Sequence, residues 1–108
     1  FGARYNDSII GDCKYSDASI FSFHPAKIIT TGEGGMVTTK EKSIYDSVCL
    51  NRSHGITKNR NEFENEADGE WYHEQLDLGV HFRITDIQAA MGISQTLRIK
   101  ENLAIRQS

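Results

Sequence analysis

One lysine in the chain has the sequence surroundings of a chemically active amine. Lys27 follows the aromatic-rich run 19–24 and directly precedes Ile28 and Ile29. Apolar surroundings would partly desolvate its ammonium group, and a neutral amine can attack a carbonyl carbon. The alternative is a lysine at the end of a strand whose ammonium extends into solvent, and this segment alone favours that alternative. Carbonyl chemistry at Lys27 is therefore one of two hypotheses.

A glycine-rich loop, Thr30–Gly35, follows the lysine closely. Glycine has no Cβ and accepts positive φ, so this loop could bring backbone close to a bulky ligand. Its spacing matches neither a Walker A phosphate loop nor a dinucleotide-binding fingerprint, because Val37 stands where the third glycine of the fingerprint would be. A plain tight turn explains any one of these glycines as well.

The remaining candidate residues carry weaker signals. Arg83 precedes a predicted helix, where it is either an anion clamp or a surface arginine. His54, His73 and His81 are widely spaced and lack the His-x-x-x-His or cysteine pairing of metal sites, so we predict no metal centre. The spacing of Ser22 and His24 alone does not indicate a catalytic triad.

In the first part of the chain, short strands are predicted on both sides of Ser22 and Lys27. Weak alternation over residues 1–15 predicts two short strands joined by a turn at Asn6–Ser8. The segment Ser19–His24 predicts a buried strand that Pro25 ends. Met36–Thr39 predicts the next strand.

Helices follow the strands. The pattern Thr38-x-x-Glu41 predicts a capping box and a helix of about three turns that ends near Gly55. The polar, charged composition of residues 57–70 predicts a solvent-exposed loop, which we call the polar excursion. The pattern Thr85-x-x-Gln88 predicts a second capping box, before a helix with one apolar face. This helix contains Gly92, so we expect close packing there, and the helical pattern resumes at Ile99. The order of elements is typical of part of a three-layer α/β domain.

Composition excludes several classes of protein. The chain has 108 residues and a formal charge of −3, from 12 basic and 15 acidic residues. The charge balance argues against a nucleic-acid binder, and no apolar run is long enough for a transmembrane helix. Cys13 and Cys49 are too few for a disulfide scaffold, so we expect reduced thiols in a cytoplasmic protein. The sequence begins without Met and stops within a predicted helix, so we expect an internal fragment of a longer protein.

Taken together, the motifs resemble those of a known enzyme family. Its signature is a Ser-Phe-x-x-x-Lys element, Thr-x-Gly-Glu-Gly-Gly, a His-Gly pair, and an Asn-aromatic-Arg element before a helix with Gln-Ala-Ala. The matching segments here are Phe21–Lys27, Thr30–Val37, His54–Gly55 and Arg83–Ala90. They resemble the DegT/DnrJ/EryC1/StrS family of sugar aminotransferases. The resemblance implies part of the large domain of the fold type I, aspartate aminotransferase-like enzymes, a three-layer α/β/α fold that uses pyridoxal 5′-phosphate (PLP).

The resemblance also implies roles for individual residues. Lys27 matches the lysine that carries PLP as a Schiff base and then shuttles a proton, and Ser22 matches the serine that binds the cofactor phosphate. Arg83 matches an arginine in the element that crosses toward the partner subunit's site. His81 stands where the family commonly has an asparagine that reaches the phosphate in the neighbouring subunit, and an imidazole N–H can replace that amide donor. These matches imply a homodimer with active sites at its interface.

The resemblance also implies a substrate, and it implies that parts of the fold lie outside residues 1–108. His54–Lys58 and Gly69–Tyr72 are most similar to the branch that aminates a UDP-4-keto-6-deoxy-N-acetylhexosamine on the way to pseudaminic acid, with glutamate as the implied amino donor. The residue that pairs with the pyridinium nitrogen, an N-terminal part of the large domain and the C-terminal small domain are expected outside residues 1–108. We therefore expect the chain alone to be inactive.

Three alternatives remain at this stage. The first is an aminotransferase of the same family that acts on another nucleotide-linked keto sugar. The second is a family dehydratase, against which Lys27 argues because those enzymes have histidine in its place. The third is a non-catalytic dimerisation module.

Overall fold

The computed structural model describes residues 1–107, with side chains through residue 106, as two compact units. The first unit combines Phe1–Glu41 with the residues from Ile84 onward, and the second is Lys42–Arg83. The regular elements in chain order are β1 (Arg4–Tyr5), β2 (Ser8–Ile9), β3 (Ala18–Ser22), β4 (Gly35–Thr39), α1 (Lys42–Asn51), β5 (Ile56–Thr57), β6 (Glu74–Gln75), α2 (Asp86–Leu97) and α3 (Ile99–Gln107), with a 3₁₀ turn at Arg60–Glu62.

The strands of the first unit form two antiparallel pairs. β1 pairs with β2 across the predicted turn, and the positive φ of Asn6, 52°, suits a tight reversal. β3 pairs with β4 in a register that runs from Ala18 opposite Thr39 to Ser22 opposite Gly35. The predicted strands are therefore confirmed, although β3 ends at Ser22 rather than at His24. The predicted burial of β3 is wrong in this chain, since none of its residues is buried and Ile20 is 82% exposed.

Of the two predicted capping boxes, the one at α2 is present and the one at α1 is not. At α2 the capping box is present, since Thr85 and Gln88 exchange side-chain and backbone hydrogen bonds. At α1 the predicted box is wrong, because the Glu41 amide donates instead to the hydroxyl of Thr39. The hydroxyl of Thr38 lies near the thiol of Cys13, which donates to the Thr38 carbonyl oxygen. Among residues 1–107, no helix combines the length and the apolar character required to cross a bilayer.

The interior of the first unit is small. Ile29 is 2% exposed and Thr31 equally buried, and both follow the candidate lysine. A Cβ at Gly92 of α2 would lie 3.1 Å from Thr31 Cγ2, which confirms the predicted close packing at this glycine. The predicted apolar face of α2 is largely uncovered in this chain, since Ile87 and Leu97 are strongly exposed.

The second unit is organised around the end of α1. The Gly55 amide donates to the Leu50 carbonyl over 3.0 Å, and the φ of Gly55 is +68°, as predicted for a glycine after a helix. A Cβ at this glycine would lie 1.9 Å from the Asp77 carbonyl oxygen, so the returning chain requires glycine here. β5 and β6 then pair as antiparallel strands.

Carboxylates order the polar excursion that follows β5. Its exposure agrees with the sequence prediction, but its internal hydrogen bonds were not predicted. The Thr57 hydroxyl donates to Glu62 over 2.5 Å, and the Asn59 amide donates to the other oxygen over 2.8 Å. Glu74, which is buried, accepts from the backbone of Glu64 and from Asn65.

This arrangement makes the loop sensitive to acid. The hydrogen bond from Thr57, with that from Asn59, holds the pKa of Glu62 below its ordinary value. A carboxyl group with a lowered folded-state pKa stabilises the fold above its unfolded pKa of about 4.3, and that stabilisation is lost as the pH falls through the folded pKa. We expect amide hydrogen exchange at Asn59 and Asn61 to accelerate as the pH falls through this range, after correction for intrinsic exchange rates.

Two variants test this prediction. Glu62→Gln should flatten the pH dependence of exchange, whereas Glu66→Gln, at an exposed position of the same excursion, should leave it as in wild type. An unchanged acid response in Glu62→Gln would show that other groups govern the loop.

Candidate functional site

Lys27 lies on a loop whose two ends are joined by backbone hydrogen bonds. We call residues 24–33, between β3 and β4, the lysine loop. At its base the Phe23 amide donates to the Gly34 carbonyl over 2.8 Å. The Phe23 carbonyl in turn accepts from the Thr31 amide at 3.0 Å and from the Thr30 hydroxyl at 2.9 Å. A single residue thus fastens the loop to the β3–β4 pair.

A tight turn sets the position of Lys27 within this loop. The Lys27 amide donates to the His24 carbonyl over 2.9 Å, and Pro25 occupies the second position of the turn, where its fixed φ is favourable. The Ala26 amide donates to His24 Nδ1. The Lys27 side chain is exposed, which agrees with the alternative of a lysine that extends into solvent, and the hypothesised partial desolvation of its ammonium is not seen in this chain. The reason is that Ile29 turns into the interior while the turn leaves Lys27 at the surface.

Ser22 and Lys27 line the same cavity in the first unit. Its volume is about 380 Å³, within the usual range for small-molecule sites. Phe21 and Ile29 supply apolar wall, and Arg106 of α3 adds a second cation. Sequence reasoning missed Arg106, because its spacing indicated only a continuing helix.

The hydroxyl of Ser22 keeps its donor function. Its Oγ accepts a hydrogen bond from the His24 amide at 3.3 Å, which uses an oxygen lone pair rather than the hydroxyl proton. A serine hydroxyl, a lysine amine and a guanidinium around one cavity, together with apolar side chains, suit a flat ligand that carries both an anionic group and a carbonyl group.

The fold itself explains the three glycines at the end of the lysine loop and the start of β4, Gly32, Gly34 and Gly35. Gly34 has φ +154°, and a Cβ there would lie 2.5 Å from the Thr31 hydroxyl. A Cβ at Gly35 would lie 2.9 Å from the Phe21 carbonyl oxygen. Gly32 has φ +81° in open surroundings, so its backbone angle alone favours glycine. The hypothesis of close backbone approach to a ligand is therefore not needed to explain Gly34 and Gly35.

His81 and Arg83 lie together in the second unit. Arg83 Nη2 is 3.2 Å from His81 Nε2, and the rings of His81 and His54 stack with centroids 5.1 Å apart and planes 31° apart. A β-bridge between Ser53 and His81, with a hydrogen bond from the His54 amide to the Val80 carbonyl, sets the two rings side by side. His54 has a φ of +66°, unusual for a residue with a Cβ, and was missed as a partner of His81.

The four candidate residues thus form two pairs. Ser22 and Lys27 share a cavity in the first unit, and His81 and Arg83 contact each other in the second. Within residues 1–107, no group of three or more His, Cys, Asp or Glu side chains is arranged to hold a metal ion. Cys13 and Cys49 are both free thiols, as expected.

Known proteins match the chain over its whole length. The sequence model of the DegT/DnrJ/EryC1/StrS aminotransferase family matches residues 1–108. The chain is 40% identical over 106 residues to the UDP-4-amino-4,6-dideoxy-N-acetyl-beta-L-altrosamine transaminase of Campylobacter jejuni, covering 98% of this chain and 25% of the relative. It is 38% identical over 106 residues to the GDP-perosamine synthase of Caulobacter vibrioides, with the same two coverages.

A solved structure supports the fold. The Helicobacter pylori PseC aminotransferase, described as involved in the biosynthesis of pseudoaminic acid, matches with a TM-score of 0.76 and 34% identity, over 92% of this chain and 24% of that one. The match confirms the expected fold class, part of the α/β large domain of fold type I enzymes. The chain spans about a quarter of the length of these relatives.

The contact between Arg83 and His81 predicts the tautomer of the imidazole. A guanidinium only donates hydrogen bonds, so Nε2 must accept and the ring proton must lie on Nδ1. We expect the ¹⁵N shifts of the His81 ring to place a proton on Nδ1 and none on Nε2. Replacement Arg83→Met should move His81 toward the Nε2–H form, while the exposed His73 should not change. An Nε2–H tautomer in the unsubstituted protein would contradict the contact.

Proposed function

Because the chain belongs to the DegT/DnrJ/EryC1/StrS aminotransferase family, we propose that it is the part of a PLP-dependent nucleotide-sugar aminotransferase that carries the cofactor lysine. Residues 1–108 are then a partial large domain, with the remaining cofactor-binding segments and the small domain elsewhere in a longer protein. The observation that carries this proposal is the shared cavity of Lys27 and Ser22, at the end of a turn that the fold holds in place.

The residues around this cavity fit PLP. The cofactor has an aldehyde, an aromatic ring and a phosphate group, so its site needs a primary amine, an apolar wall and hydrogen-bond donors. Lys27 supplies the amine, Phe21 and Ile29 supply apolar wall, and Ser22 supplies a hydroxyl donor. When bound, PLP supplies the electron sink that lets an amino group pass between an amino acid and a keto sugar.

The chain's own residues have distinct tasks in this proposal. The Lys27 amine, in its neutral form, would hold the cofactor at its aldehyde carbon with loss of water, and once released it could hold or move a proton at its nitrogen. The Ser22 hydroxyl would hold the cofactor by donating to its phosphate. Exclusion of water from the exposed Lys27 requires further layers of the protein.

Residues of the second unit are proposed to act across a homodimer. The resemblance assigns His81 and Arg83 to the phosphate in the neighbouring subunit, and their mutual contact favours a joint role in binding an anion. Strong exposure of the large apolar side chains Trp71, Leu78 and Phe82 supports an intersubunit surface in this unit. The same exposure is what favours the second candidate function, a dimerisation module without catalysis.

The proposed substrate is a UDP-4-keto-6-deoxy-N-acetylhexosamine, with glutamate as amino donor, in the pathway to pseudaminic acid. The Campylobacter and Helicobacter relatives support this choice. The GDP-perosamine synthase is almost as similar, so a GDP-linked keto sugar is the alternative within the family. A nucleotide-sugar substrate and an amino-acid donor both favour a cytoplasmic enzyme.

The decisive test of the proposal is chemical labelling of the lysine. We expect borohydride reduction of the full-length enzyme with PLP, followed by peptide mapping, to place the cofactor on Lys27. Lys27→Ala should abolish transamination and leave thermal unfolding nearly unchanged, because the side chain is exposed. Lys40→Ala, also at an exposed position, is the matched control and should retain both labelling and activity.

Two results would redirect the proposal. Labelling at another lysine would overturn the assignment of Lys27, and a stable dimer that neither binds PLP nor transfers an amino group would favour the dimerisation module. The substrate is resolved by offering the enzyme glutamate with either the UDP-linked or the GDP-linked 4-keto sugar. Faster amination of the GDP-linked sugar would replace the proposed substrate with its alternative.

A further inference from the structure

A glutamine from a distant part of the chain holds the backbone just after Lys27. The Thr30 amide donates to Gln95 Oε1 over 3.1 Å, and Gln95 Nε2 donates to the Thr30 carbonyl over 2.7 Å. The two residues are 65 positions apart in the sequence, and the contact is partly buried. One side-chain amide therefore satisfies both backbone groups of Thr30, as a neighbouring strand would do.

Gln95 belongs to a face of α2 that is shaped to receive the lysine loop. Gln88, Gly92 and Gln95 share one side of the helix because their spacing follows its turns. Gln88 Nε2 donates to the Glu33 carbonyl over 3.0 Å. Between the two glutamines, the absence of a side chain at Gly92 lets Thr31 approach the helix closely. We call these three positions the loop-binding face.

The loop-binding face fixes one side of Lys27 while the turn fixes the other. Upstream, the Lys27 amide is bonded to the His24 carbonyl. Downstream, Ile29 and Thr31 are buried and Thr30 is held by Gln95. The exposed Lys27 side chain thus starts from a backbone that is anchored on both sides.

We propose that Gln95 is a positioning residue for Lys27: its two hydrogen bonds to Thr30 hold the lysine backbone where the amine meets a cofactor aldehyde. The proposal rests on the proposed function of Lys27 and names a residue that acts through the loop without touching the cofactor. Gln88 holds the far end of the same loop through one bond, so its contribution to the position of Lys27 is smaller.

The test uses three variants of the full-length enzyme. Gln95→Leu removes both bonds to Thr30 at similar side-chain volume. Gln88→Leu removes the bond to Glu33 and also the bonds that Gln88 Oε1 accepts from Thr85 in the capping box. Thr96→Val is the control, since the Thr96 hydroxyl donates to the Gly92 carbonyl within α2 rather than to the lysine loop. Each variant is measured by amide hydrogen exchange at Thr30 without cofactor, by thermal unfolding, and by titration with PLP followed through the visible absorption of its Schiff base.

The expected pattern separates positioning from stability. Gln95→Leu should accelerate exchange at Thr30 and weaken PLP binding about tenfold, the size expected for the loss of one or two net hydrogen bonds. Gln88→Leu should lower thermal stability but change PLP affinity less, and Thr96→Val should match wild type in both exchange and affinity.

The contrary results are equally distinct. PLP affinity of Gln95→Leu within twofold of wild type, with lowered thermal stability, would make Gln95 a purely structural residue and overturn the proposal. An equal loss of affinity in Thr96→Val would do the same, because the effect would then not depend on Thr30. Absence of a Schiff base at Lys27 in the unsubstituted enzyme would refute the proposed function and the positioning role with it, while exchange at Thr30 would still report whether the contact exists.

Discussion

The backbone of Phe23 is the point on which the arrangement of the candidate site depends. Its amide and carbonyl together hold Gly34, Thr31 and the Thr30 hydroxyl, so the lysine loop leaves and rejoins the β3–β4 pair at one place. Ordering a loop of this kind costs conformational entropy, and the hydrogen bonds at its base offset part of that cost. Fixed ends, a proline turn and two glutamine contacts leave Lys27 with few backbone conformations, as its proposed role in holding a cofactor requires.

Several large apolar side chains of the first unit are uncovered in this chain. Ile20, Ile87 and Leu97 are each about four-fifths exposed, although strands and helices of this type gain their stability by burying such side chains. The relatives that the chain matches are about four times as long. This relationship explains how local structure can be well formed around Phe23 and Thr85 while the apolar faces stay uncovered.

Local rules predicted the parts of the structure that local interactions determine. The β3–β4 strands, the Thr85–Gln88 capping box and the glycine after α1 were all evident from short patterns. The capping box at Thr38 failed because a hydroxyl one residue later competes for the same amide. For Lys27 the segment left desolvation and exposure open with exposure favoured, and the side chain is exposed; alternation alone does not specify which way a turn faces. Gln95, Arg106 and the His54–His81 pair were missed because long-range contacts leave no signature in a short window.

The central claim is that the fold holds Lys27 on a fixed loop to carry a cofactor. The most direct measurement is a crystal structure of the full-length enzyme grown with PLP. The account predicts continuous density between Lys27 Nζ and the cofactor aldehyde carbon, with the phosphate within hydrogen-bond distance of Ser22 and the Phe23–Gly34 and Thr30–Gln95 contacts intact. A cofactor bonded to another lysine, or a lysine loop detached from Phe23 and α2 in the loaded enzyme, would contradict it.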